Sequence, residues 1–416
     1  MIETLNVFMK GVLVGHLFWD HKHLSFSYTN EYRSDPTSAQ LSLSLPLSHD
    51  LFPESDVEAY FSGLLPDENL RRRLARHLHV SDANTFGLLK EMGAECAGAV
   101  SILPDGMKPN NPLKPSFKAL SEEESYELLM SLKKNPLGVD AYGNYRISGA
   151  GAQDKLMVCL FDSDIYLPQN GTPSTHIIKT NIEGLQDTCQ NEYFCMELAQ
   201  MIGLEAPAVR LLSLKDKVFY AVERYDRIYD SNNHLVRLHQ EDLCQAMGYN
   251  PKIKYENEKG PGLLECQKCI KSNSAIAGRD MVRFVRIILY NFLIGNGDAH
   301  GKNFSLLYHQ NNVFLAPFYD LMSSGACFDY TRKEAMAMKI DGTYLFSKVF
   351  MPKLNRLSTE MGFREDFIQN QFQVFFKNIV PFAKSLRDEL NANPVTRSKV
   401  YDKIVRIIER HFEQLL

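Results

Sequence analysis

No run of apolar residues in this chain is long enough to cross a bilayer. The longest, Phe284 to Ile294, is short and carries Arg286, whereas a spanning helix needs about 20 apolar residues. The opening MIETLNVFMKG holds Glu3 and lacks a cationic stretch followed by an apolar core, so no secretory leader is read there. The eight cysteines (96, 159, 189, 195, 244, 266, 269 and 327) are scattered, and only Cys266 and Cys269 form a CxxC, with no second pair or histidine partner close by. That pattern argues against zinc and for helix-facing thiols in a reduced, cytoplasmic protein. Neither charge sign dominates: 46 Lys and Arg stand against 50 Asp and Glu, which is no argument for nucleic-acid binding by the whole chain. The run Arg71, Arg72, Arg73 and Arg76 reads as a solvated helix face. Internal repeats, low-complexity tracts and a GxxxxGK[ST] phosphate loop are all missing from the sequence.

What is present is a well-filled core: 44% of the 416 residues are hydrophobic and 11% aromatic, enough for two or three units of ordinary domain size. Residues 1–103 read as a small β-sheet unit packed on helices. Leu5 to Trp19 is turned by Gly11 and Gly15 into a hairpin, and LSFSY from Leu24 is a third strand ending at Thr29 and Asn30. The Leu–Ser alternation from Ala39 predicts a strand with one apolar face. Helices follow, with Ser55 as N-cap and a restart at Pro66–Asp67. Residues 104–118, with four prolines, read as a linker. Residues 119–228 mix a Ser121-capped helix, strands at Lys155–Phe161, Asp164–Pro168, THIIKT and Val218–Arg227, and a helix over Gln190–Gly203. Residues 229–416 read as mainly helical. Apolar positions recur at helical spacing from Asp280 to Phe292, and further helices are expected over Phe363–Phe382 and Val400–Leu416.

The helix from Asp280 leads into GNGDAHGKNFSLLYHQNNVFLAPFYD, residues 295–320. Asp298 and Asn303 lie five apart on a Gly-rich loop, and Asp320 follows a strand-like run. Phosphoryl transfer needs such a set. One carboxylate orients or accepts the proton of the attacking hydroxyl, while an amide oxygen and a second carboxylate hold Mg²⁺. The Asp-to-Asn spacing matches a protein-kinase catalytic loop, although no HRD precedes Asp298 and no DFG surrounds Asp320. An Asx-rich turn has the same composition.

Two further pieces suit a nucleotide. Ser148 to Lys155, SGAGAQDK, is a small-residue loop ahead of a strand, where backbone N–H groups can approach phosphates. Lys179 ends the strand THIIK and could meet phosphates, with Glu192 on the next helix as its partner. A strand-end Lys is ordinarily solvated, and a helix Glu is ordinarily a surface acid. Glu223, Arg224 and Tyr225 would form a hinge whose backbone pairs with adenine. Each piece alone has a plain structural meaning; their order is that of a two-lobed kinase.

ISGAGAQDK, THIIK, NEYFCMELA, VERYDR, LHQEDLCQA, GNGDAHGKNFS, PFYD and the N-terminal LSLSLPL together resemble the HipA family of serine/threonine kinases, toxins of bacterial toxin–antitoxin pairs. The resemblance implies an α+β, two-lobed kinase-like fold related to the protein kinase and phosphatidylinositol kinase superfold. It implies a small N-terminal β/α subdomain, a nucleotide-binding part and a helical C-lobe. ATP and Mg²⁺ would be the cofactors. Asp298 would be the catalytic base, and Asn303 and Asp320 the metal ligands. Ala150, Gly151, Ala152, Gln153, Asp154, Lys155, Lys179, Glu223, Arg224, Tyr225, His300, Lys302 and Tyr319 would line the nucleotide. Ser148 matches the family's autophosphorylated serine, where a phosphate of about −1.5 to −2 charge switches the kinase off. Gly149 replaces the apolar residue usual after it. The family's partner is a helix-turn-helix DNA-binding antitoxin. Its substrate type is an aminoacyl-tRNA synthetase, glutamyl-tRNA synthetase in the best-known case. DNA contact would be at most indirect, and no membrane is involved.

Two other readings differ in class. A kinase-like corepressor would act mainly through the DNA-binding partner. A metal-dependent hydrolase would use Asp298 and His300, but too few ligands converge there. His300 is equally suited to holding the loop backbone.

Overall fold

The computed structural model describes residues 2–110, 115–138, 150–151, 153–327 and 335–416. It is α+β, as the sequence predicts, and divides into two compact units. The first comprises Met1–Lys179, Glu223–Ile253 and Ser305–Val313; the second comprises Thr180–Val222, Lys254–Phe304 and Phe314–Leu416. Among the described residues no helix is long and apolar enough to cross a membrane.

The first unit opens with the expected hairpin, but Gly11 alone of the two glycines lies in its turn, and Gly15 sits inside the second strand opposite Val7. Glu3–Met9 pairs antiparallel with Val12–Trp19, and Met9 faces Val12 across a two-residue turn. Lys10 and Gly11 have φ of 51° and 81°, the signs a type I′ turn requires. Leu24–Tyr28 and Val100–Pro104 complete the sheet on either side. Leu5, Val7, Leu17 and Phe26 bury against Val57, Phe61 and Leu89 of the helices Glu54–Gly63 and Thr85–Met92. Each such side chain contributes roughly 1.5–3 kcal/mol by leaving water, which holds the sheet to its helices.

Three further expectations for residues 1–103 fail. The Leu–Ser run is a turn, not a strand: Leu45 N bonds Ser42 O at 3.1 Å. The amides a strand ladder would use are taken by side chains, Leu41 N by the Tyr28 hydroxyl, Leu43 N by Glu241 and Ser44 N by Ser42 Oγ. Such side-chain bonds compete with the ladder. Ser55 is not the N-cap. The helix starts at Glu54 behind Pro53, whose carbonyl accepts from Asp56 N and Val57 N. Arg71 is buried rather than solvated, and donates to Ser62 Oγ, Thr85 Oγ1 and Asp82 O. The restart holds, with Asp67 preceding the helix Glu68–His77.

A second sheet in this unit runs Ser116–Ala119, Asp164–Gln169, Lys155–Phe161, His176–Lys179, all antiparallel. Ser121 and Glu124 form a capping box on the helix Glu122–Ser131. The strand expected over Val218–Arg227 stops at Glu223. Beyond it the chain turns inward, because Arg224, Asp226 and Arg227 enter a buried ionic cluster with Glu95. Arg237 caps the cluster's edge by donating to the carbonyls of Cys96, Gly98 and Val100.

In the second unit, helix Thr188–Met201 packs on Ile379–Ala392 and Val400–Leu415, and Leu263–Asn273 packs on Ala277–Leu293. The helix expected over Phe363–Phe382 is two, Phe367–Phe375 and Ile379–Ala392. Pro381 explains the break: inside one continuous helix it would remove a hydrogen bond and clash with the preceding turn, whereas in a first turn it costs nothing. Cys266 and Cys269 share the helix Leu263–Asn273, and all eight cysteines are free thiols.

Candidate active site

The loop that carries Asp298 and Asn303 follows the helix Ala277–Leu293, most of which is buried. Its first turn acts at a distance. The fully buried Asp280 accepts from Ser274 Oγ and Leu315 N, each at 2.7 Å, and from Arg283 at 2.8 Å. Arg283 in turn donates to the carbonyls of Leu315 and Ala316. One helix therefore carries the loop at its C-terminal end and clasps, at its N-terminal end, the segment that leads to Asp320.

At the loop, Gly295 has φ of 68°, and a Cβ there would stand 2.9 Å from Ile407 Cγ2. Asn296 is held by Asn291, and its side-chain oxygen accepts from Asp298 N at 3.0 Å. Gly297 N donates to Ser324 Oγ at 2.7 Å. Asp298 is thus fixed from its backbone outward. Its carbonyl accepts from His300 N at 2.9 Å and from Asn303 Nδ2 at 3.1 Å. Only an amide nitrogen can donate to a carbonyl, so that bond also fixes the amide's orientation and leaves Asn303 Oδ1 as an acceptor.

Tyr319 donates to Lys302 O at 2.8 Å. One tyrosine side chain thereby joins the neighbour of Asp320 to the neighbour of Asn303. Asp320 is exposed and has φ of 54°, a left-handed backbone that costs energy in a non-glycine residue. Beyond it, Asn191 clamps Ser323 from both sides, donating to its carbonyl and accepting from its amide. Glu192 is buried rather than a surface acid. Burial, with Glu192 and Asp320 close by, pushes the Tyr220 phenol well above its ordinary value. Asn303 Oδ1 and the Asp320 carboxylate are hard oxygen atoms, the type of donor Mg²⁺ takes. Lys302 and His300 are buried, and the His300 ring meets Tyr255 edge-on at 5.1 Å.

The other predicted residues lie in the first unit. Lys155 and Lys179 face each other across antiparallel strands, and both are buried rather than solvated. Lys155 Nζ donates to Ala150 O. Gly151 has φ of 93°, and a Cβ there would meet Lys155 Nζ at 2.8 Å. Gly151 O accepts from Asp67 N at 3.2 Å. Asp154 pairs with Arg73, and Gln153 is half-buried. Glu223 is exposed and Tyr225 bonds Gln240. The Arg224 guanidinium is committed to Asp226, Glu95 and Ser174, and its amide to Thr175 O. Its carbonyl accepts from Arg227 N at 3.3 Å. Ser148 and Ala152 lie outside the described residues.

Sequence reasoning overlooked Asn191, Asn296, Ser324, Tyr255 and the Asp280–Arg283 clasp. Only Asn296 had a readable signal, since an Asn two residues before Asp298 commonly forms an Asx turn. The others act across long stretches of chain.

Residues 147–381 match the HipA-like C-terminal domain and residues 5–103 the HipA N-terminal domain. The Sinorhizobium fredii protein Y4mE is 37% identical over 376 residues, covering 86% of this chain and 89% of that protein. The serine/threonine-protein kinase toxin HipA of Shewanella oneidensis is 28% identical over 354 residues, covering 80% of this chain and 78% of its own. A chain from the solved Shewanella oneidensis complex of HipA, HipB and operator DNA superposes with a TM-score of 0.81 at 23% identity, over 99% of this chain and 96% of that one. The fold is thus the kinase-like one the sequence predicts.

Proposed function

The chain belongs to the HipA family of kinase toxins, and from that premise we propose that it is an ATP- and Mg²⁺-dependent serine/threonine protein kinase, the toxin of a toxin–antitoxin pair. Asp298 orients the acceptor hydroxyl and takes its proton. Asn303 and Asp320 would hold Mg²⁺, which when bound bridges and neutralises the nucleotide phosphates. Lys155 and Lys179 meet the phosphates together with Ala150–Asp154, His300, Lys302 and Tyr319. The backbone of Glu223, Arg224 and Tyr225 meets adenine. The observation that supports the reading is the Asn303 amide bonded to the Asp298 carbonyl, which keeps these two residues together on one turn.

Autophosphorylation at Ser148 switches the kinase off. The protein substrate is a translation component of the aminoacyl-tRNA synthetase type, and the partner is a helix-turn-helix antitoxin through which any DNA contact is made in the cytoplasm. Incubation with ATP and Mg²⁺ should add phosphate that maps to Ser148 by mass spectrometry. Asp298→Asn keeps the size but removes the proton acceptor, and should abolish the label. Labelling at the wild-type rate would show that Asp298 is not the base.

The corepressor reading is favoured by the HipA–HipB–operator assembly of the structural neighbour. A reporter under the protein's own promoter separates the two roles: repression that survives Asp298→Asn belongs to the partner complex and not to catalysis.

A further inference from the structure

We propose that Tyr255 is the positioning residue for Asp298, holding one carboxylate oxygen so that the other meets the hydroxyl to be phosphorylated. The inference rests on the kinase reading of Asp298. The Tyr255 hydroxyl donates to Asp298 Oδ1 at 2.5 Å. Among the described residues Oδ2 makes no hydrogen bond. The two oxygens of one carboxylate are thereby made unequal, and their roles divide.

Tyr255 is itself held firmly. Its carbonyl accepts from Glu258 N at 3.0 Å and from Gly260 N at 2.8 Å, closing a tight turn. That turn is anchored because Glu256 Oε2 accepts from Lys339 N at 2.6 Å and Glu256 Oε1 pairs with Lys339 Nζ at 3.1 Å. Gly262 lets the chain pass, since a Cβ there would stand 2.8 Å from Glu256 Oε1. The Tyr255 ring meets the His300 ring edge-on, with planes 80° apart, and His300 N bonds Asp298 O. The tyrosine therefore grips the loop twice, by its ring at His300 and by its hydroxyl at Asp298.

In the reaction, the acceptor hydroxyl gives its proton to Oδ2, its oxygen bonds the γ-phosphorus, and the bond from that phosphorus to the ADP oxygen breaks. A carboxylate free to rotate presents either oxygen at varied angles. One held at Oδ1 presents Oδ2 in a single direction, and phosphoryl transfer depends mostly on such positioning.

Tyr255→Phe removes the hydroxyl and keeps the ring against His300. Phosphate incorporation from labelled ATP with Mg²⁺ should slow by roughly 10- to 100-fold at saturating ATP, the effect of losing one hydrogen bond to a charged group. The KM for ATP and the melting temperature should stay at wild-type values, a split that general loosening of the fold would not produce. An unchanged rate overturns the proposal. So does a faster one, which would mean that the hydroxyl obstructs the acceptor. So does a slower rate accompanied by an equal rise in KM. Asp298→Asn measured alongside separates the two levels: if it is silent while Tyr255→Phe is fully active, only the role of Tyr255 falls, and if Asp298→Asn is fully active, the kinase reading falls with it.

Discussion

Glu241 is the carboxylate whose replacement should have the most distinctive pH signature. It is buried in the first unit, where Ser42 Oγ donates to Oε2, and Leu43 N and Tyr308 OH donate to Oε1. Burial outweighs these three bonds and raises its pKa from the ordinary 4.5 to about 7. In the window between those values the folded protein keeps a proton that the unfolded chain has released. Stability contributed by this site is therefore complete below pH 4.5 and falls as pH rises towards 7, with the full cost reached above it. At 1.36 kcal/mol per pKa unit, that cost is about 3 kcal/mol. Glu241→Gln keeps the shape of the neutral acid and has one donating end. Ser42, whose hydroxyl can rotate, can accept from that end while Leu43 N and Tyr308 still bond the oxygen. Urea unfolding of both proteins at pH 5, 6, 7 and 8 cancels every group they share. Glu241→Gln should be close to wild type at pH 5 and gain on it steadily, by roughly 3 kcal/mol at pH 8. A gap that does not change with pH would refute the reasoning, because desolvation of the charged form would then not be what raises the pKa.

Asp226 gives the opposite signature. Burial works against its charge, but Arg224 and Arg227 outweigh it and hold its carboxyl below the usual range. Its contribution is complete above the unfolded value of 3.8 and lost only as pH falls further, through the folded value. Asp226→Asn should therefore destabilise by about 3–5 kcal/mol, equally at pH 5 and pH 8, as urea unfolding would show. In the second unit, Asp280→Ala strands Leu315 N and the Arg283 charge. It should cost about 3–5 kcal/mol by the same argument and slow phosphate labelling, because the segment leading to Asp320 is released. Hydrogen exchange at the Leu315 amide would detect that release directly.

Much of the local structure was legible. The Lys10–Gly11 turn, the capping box at Ser121 and the buried helix before Gly295 each depend on side chains within a few residues of one another. The spacing of Asp298 and Asn303 was legible for the same reason, because a five-residue loop closes on itself. Failures arose where a distant group outbid the local pattern. The Leu–Ser run has perfect strand alternation, yet Glu241, nearly 200 residues on, takes its amide. Glu192 and Arg71 look like solvated charges from their neighbours in sequence and are both buried, Arg71 on Ser62, Asp82 and Thr85 beyond the ends of its own helix.

The helix that leads into the Gly-rich loop and the five-residue spacing of Asp298 and Asn303 on it were determined by sequence alone, since backbone geometry and residue type suffice for them. Only the tertiary structure decided which oxygen of Asp298 is held, what clasps the approach to Asp320, and which charges leave water. Those outcomes depend on groups brought together from far apart in the chain, and no local periodicity encodes their meeting.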